Sequence, residues 1–77
     1  MRYYLHVRER ETVIEDVEGI ELASTPDAVE EARESARELA ADMIRRQQAV
    51  DRTTLELTDA DGKSLIAIPL MSVIIAD

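Results

Sequence analysis

The chain has 77 residues, a formal net charge of −8, 45% apolar and 34% charged residues, one histidine and no cysteine. This describes a folding rather than a disordered chain and allows a single domain over residues 1–77. It excludes disulfides and thiolate metal sites, and one histidine cannot supply the roughly four ligands of a closed zinc site.

"RYYLHVR" is the first strand, with Tyr3, Leu5 and Val7 alternating against Tyr4, His6 and Arg8. "ERE" interrupts, and "TVIED" forms a second, shorter strand returning as a hairpin. "DVEGIELAST" is an irregular link in which Gly19 takes a positive φ. A helix then runs from Pro26 to about Gln48, roughly 35 Å at 1.5 Å per residue. Ser24 or Thr25 caps it, and Pro26 fits its first turn. Val29, Ala32, Ala36, Leu39, Ala40 and Met43 make one apolar stripe. The pairs Glu30–Arg33, Glu34–Arg37 and Asp42–Arg46 stand at ion-pair spacing.

"TTLELTD" is a third strand, "DADG" a hairpin turn with Gly62 at positive φ, and "SLIAIPL" a fourth strand, apolar on both faces. Pro69 limits its ladder bonding. The fold class is therefore α+β, β-β-α-β-β. The most apolar strands, first and fourth, are placed centrally in one four-stranded sheet of order 2-1-4-3. One long helix lies on one face, and a short C-terminal element is allowed.

The start "MRYYLHVRERETVIEDVEGIEL", the helix "DAVEEARESARELAADMI" and the end "LELTDADGKSLIAIPL" carry a resemblance. Tyr3, Tyr4, His6, Val7, Asp16, Gly19, Leu57, Asp59, Gly62 and Leu65 stand at its motif positions. The chain resembles a family of short alphaproteobacterial proteins catalogued as domain of unknown function sixty-eight ninety-four. Members often carry phenylalanine where Leu5 and Leu70 stand here. The resemblance implies the architecture and brings no activity. A second likeness is to small antitoxins of the HicB type, which also place a β-hairpin before an "EEA…A" helix. This chain lacks the glycine-rich turn and the third strand that those proteins place before the helix.

His6 is the chain's one histidine, the residue type suited to proton transfer and metal ligation. With no nucleophile or second ligand placed beside it, it reads as an outward residue stacked on Tyr4. Asp59, Asp61 and Gly62 imitate part of a calcium loop, but the end positions fall on Leu57 and Ile68, so a turn is expected. The serines lie in no nucleophile elbow. No catalytic residue, cofactor or metal is expected.

Glu15, Asp16, Glu18 and Glu21 form a candidate acidic face for a basic protein partner. The two-faced fourth strand and the apolar end single out Ile66, Ile68, Leu70, Met71, Val73, Ile74 and Ile75 as a candidate interface. Buried at about 1.5–3 kcal/mol each, the large side chains of the tail rival the net stability of a small domain. They either fold back over the open sheet face or meet a second copy; a homodimer is expected.

The negative charge disfavours nucleic acid and anionic membrane surfaces as partners. No apolar run nears the roughly 20 residues of a membrane span, and the start lacks a secretory signal's apolar region. The expectation is a cytoplasmic, non-catalytic interaction module. The alternative is an antitoxin-like or regulatory protein that binds a basic partner through its acidic surface.

Overall fold

The computed structural model describes residues 1–75. Its elements are β1 (Arg2–Glu9), β2 (Thr12–Ile14), β3 (Ile20–Glu21), α1 (Thr25–Arg45), β4 (Thr53–Thr58), β5 (Ser64–Pro69) and α2 (Leu70–Ile75). The sheet is antiparallel throughout. β2, β1, β4 and β5 lie side by side in that order, and β3 pairs with β1 on the edge it shares with β2.

The sheet corrects the sequence expectations in two ways. The third strand of the sequence reading (β4) is central and the fourth (β5) is the edge, so the order 2-1-4-3 does not hold. β1 and β4 run antiparallel, and so do β4 and β5. Placing β5 against β1 would therefore create a parallel pair, which is slightly less stable per residue. Pro69, which has no N–H to donate, belongs on an edge strand. The apparent two-faced character of β5 has a local cause. Register shifts where Leu57 faces Ile66 and Thr58 faces Ser64, so Leu65 falls in a bulge. Leu65 packs with Ile66 and Ile68 against the core, while the small Ala67, opposite Glu56, and Pro69, opposite Thr54, are exposed.

The second correction is a strand the sequence did not show. After β2 the chain leaves the β1 edge and returns at Ile20, opposite Tyr3. Two residues carry too little pattern to read as a strand.

The helix α1 is capped by Ser24, whose Oγ accepts the Asp27 N–H at 3.3 Å. Its buried positions are Ala28, Ala32, Ala36, Ala40 and Met43. Four alanines at four-residue spacing let the backbone approach the sheet closely, and Val29 and Leu39 flank the stripe half-buried. The helix stops at Arg45 rather than near Gln48. Gln47 turns left-handed at φ +60°, and the Gln48 and Gln47 N–H groups reach back to the Met43 and Ile44 carbonyls. This is a Schellman end with glutamine where glycine is usual. The Glu34–Arg37 and Asp42–Arg46 pairs form, at 4.0 and 3.2 Å. Glu30 and Arg33 do not pair among the described residues.

The apolar end folds back as α2, but beside α1 on the helix-covered face rather than over the open one. Leu70 is fully buried and Val73 packs on the core; Met71 and Ile74, on the other side of the turn, are 38% and 42% exposed. The opposite sheet face carries Tyr4, His6 and Arg8 from β1, and Thr54 and Glu56 from β4, under neither helix. There the Arg8 guanidinium donates to Glu56 at 3.0 Å. With help from Ser64, it holds that carboxyl below its ordinary range. Among the described residues no helix is long and apolar enough to cross a membrane.

Candidate functional site

The open face has a cleft at the end of the sheet where the 15–19 loop and the 59–63 turn approach each other. It holds about 340 Å³ and is lined by Tyr4, His6, Glu15, Asp16, Val17, Thr58, Asp59, Ala60 and Gly62. Alternation along β1 puts Tyr4 and His6 side by side on its floor. Their rings are parallel, with centroids 6.3 Å apart. The β1–β4 register sets Thr58 opposite Tyr4, within reach of His6.

The 15–19 loop exists because the edge ladder of β1 is interrupted. Ile14 faces Val7 and Ile20 faces Tyr3, which leaves Leu5 between them without a strand partner on that edge; its other edge pairs with Leu57. Asp16 fills the gap. Its Oδ2 accepts the Leu5 N–H at 3.1 Å, and its Oδ1 accepts the N–H groups of Glu18 (3.2 Å) and Gly19 (3.0 Å). Burial raises the Asp16 carboxyl, but the donors from Gly19, Leu5 and Glu18, with His6 nearby, outweigh it and hold the group below its ordinary value. Gly19 closes the loop at φ +71°, and a Cβ there would meet the Tyr3 carbonyl oxygen at 2.7 Å and the Tyr4 ring at 2.8 Å. Only glycine satisfies both the backbone angle and the space.

His6 completes the clasp. The Asp16 N–H points at His6 Nδ1 at 3.0 Å, and His6 Nε2 lies 3.2 Å from Thr58 Oγ1. A backbone N–H can only donate, so Nδ1 of the neutral ring carries the lone pair and Nε2 carries the proton. The ring therefore donates to Thr58. A Thr–His–Asp trio of the hydrolytic kind needs the reverse: a bare Nε2 to take the hydroxyl proton and an Nδ1–H held by the carboxylate. Here Asp16 offers His6 its backbone while its carboxylate is engaged elsewhere. Thr58, at 5% exposed, is withdrawn from solvent.

The sequence-derived acidic face separates by role. Asp16 is the loop's internal acceptor. Glu21 is bound to the Met1 amino group at 2.7 Å, which draws its carboxyl below the ordinary range. Glu15 and Glu18 are exposed, and Glu15 lines the cleft. The candidate interface separates too. Ile68 and Leu70 are buried in the protomer's own core, and Ile66 and Val73 pack against it, because the bulge and the α2 turn direct them inward. Met71 and Ile74 remain exposed. The side chain of Ile75 lies outside the described residues. Among the described residues no three His, Asp or Glu side chains converge as a metal site.

The sequence places His6 beside Tyr4, as the structure does, but it does not bring Thr58 and Asp59 to them or to Asp16. The outward phase of Tyr4 and His6 was legible from alternation; the arrival of Thr58 depends on the strand order, which was not.

No curated protein and no solved structure matches the chain significantly. The elements that build the clasp and the cleft all fall within residues 2–72, the span matched by one family model. The chain belongs to the family described as Domain of unknown function (DUF6894).

Proposed function

We propose that this protein is a small interaction module that performs no chemistry of its own and acts as a homodimer. The one-sided sheet carries this reading. Both helices cover the same face, so the face bearing Tyr4, His6, Arg8, Thr54 and Glu56 is left open to a partner. The inverted His6 tautomer supports the absence of catalysis, since the proton sits where a general base would need a lone pair. Exposed Met71 and Ile74, adjacent turns of α2 on a small acidic chain, support self-association. Cytoplasmic residence remains part of this proposal.

Light scattering after size exclusion tests it, on the full chain and on Ile74→Asp. A dimer that the variant converts to a folded monomer is the expected result. A full chain that stays monomeric at high micromolar concentration overturns the homodimer.

A second reading has an observation of its own. Every charged residue lining the cleft is acidic, which favours a regulatory or antitoxin-like role toward a basic protein. Retention of a purified basic partner that is lost at high salt would favour it.

A further inference from the structure

The cleft combines features that select one kind of visitor. Its floor is aromatic, with Tyr4 and His6 side by side and their ring planes 1° from parallel. The rim carries Val17, 84% exposed, an apolar contact that the protomer's own packing does not use. The charged lining is Glu15, Asp16 and Asp59, with no lysine or arginine. Asp16 is occupied by three backbone N–H groups. Asp59 uses Oδ1 for the Asp61 and Lys63 N–H groups, both at 2.9 Å. Glu15 is exposed and makes no described contact of its own. The whole chain carries a net charge of −8.

We propose that this cleft receives an arginine side chain from a basic protein partner, with the guanidinium plane over the Tyr4 ring and Glu15 and Asp59 as counter-charges. A planar, weakly hydrated cation is the group that can use an aromatic face and carboxylates at once. The aliphatic stem of the arginine lies against Val17. The cleft's volume accommodates one such side chain and excludes a folded element. The proposal rests on the interaction-module reading and names the partner chemistry of the open face.

The test is an NMR titration of the full chain, following backbone ¹H–¹⁵N resonances, with N-acetyl-arginine N-methylamide as probe. The citrulline analogue, neutral and of the same shape, is the control. The expected result is saturable shifts confined to residues lining the cleft, at least about threefold weaker with the citrulline compound. Glu15→Gln, at an exposed position, should keep the spectrum of the folded protein and weaken arginine binding by about threefold. Tyr4→Leu should weaken it comparably, provided its remaining spectrum shows an intact fold. Equal binding of the two compounds, shifts centred elsewhere, or no saturable shift would overturn the proposal. Such a failure beside an intact dimer in light scattering removes the arginine site and leaves the module reading standing.

Discussion

Two loops of this protein share one spelling, Asp-x-x-Gly, and behave differently. Asp16 to Gly19 and Asp59 to Gly62 each end on a glycine at positive φ, +71° and +85°. Each opens on an aspartate whose carboxylate accepts two N–H groups of its own loop. The second loop stops there: it is a hairpin turn in solvent, and a Cβ on Gly62 would meet nothing within 4 Å. The first is fastened to the sheet. Asp16 also accepts the Leu5 N–H and offers its own N–H to His6, and Gly19 lies against the Tyr3 carbonyl. One motif makes a turn in one place and a missing piece of β-ladder in the other. The difference lies in the neighbouring strand edge, not in the motif.

The comparison breaks most readily at the glycines. Gly19→Ala adds a left-handed alanine, at about 1–2 kcal/mol, to a collision with backbone that overpacking places at about 1–3 kcal/mol. Urea unfolding should show a loss of roughly 3 kcal/mol, against about 1 kcal/mol for Gly62→Ala. Equal losses would mean that the first loop is no more constrained than the second.

The aspartates should separate next. Asp16→Ala strips an acceptor from Leu5 inside the sheet edge, and the expected loss is about 2–3 kcal/mol. Asp59→Ala acts on an exposed turn and should lose about 1 kcal/mol. Acid sharpens the contrast. The Asp16 carboxyl is held below its ordinary 3.8 in the fold. A depressed carboxyl contributes stability that is full above its unfolded value and disappears as pH falls through the folded one. The stability gap between the parent chain and Asp16→Asn should therefore be constant from neutrality to about pH 4 and close below it. Glu21 and Glu56 are shifted in the same direction, so the variant difference, not the parent curve alone, isolates Asp16. A smaller effect than at Asp16 is expected at the ring: His6→Ala removes the acceptor for the Asp16 N–H and the donor to Thr58, for a loss of about 1–2 kcal/mol by the same unfolding measurement.

Much of this was readable from residues whose physics is local. The Ser24 cap, Pro26 and the alanine spacing located α1, and Gly62 located the hairpin turn, because each depends only on near neighbours in sequence. The strand order was not readable in the same way. Leu65 looked like half of a second apolar face, and only the bulge shows it turned to the core. Leu70 looked like tail, yet one helical turn after Pro69 places it at the centre of the core. The clasp was half legible. Asp16, Gly19 and His6 each stood out, but their meeting depends on an interruption of the β1 edge that no local pattern records.

The central claim is that His6 is a donor within a clasp and not a base beside a hydroxyl. A long-range ¹H–¹⁵N correlation spectrum of the imidazole, on the neutral ring, tests it most directly. The structure predicts a protonated Nε2 and a bare Nδ1, with a hydrogen-bond coupling or shift from the Asp16 amide. A proton on Nδ1 with Nε2 bare toward Thr58 would contradict the clasp and reopen a catalytic reading of the cleft.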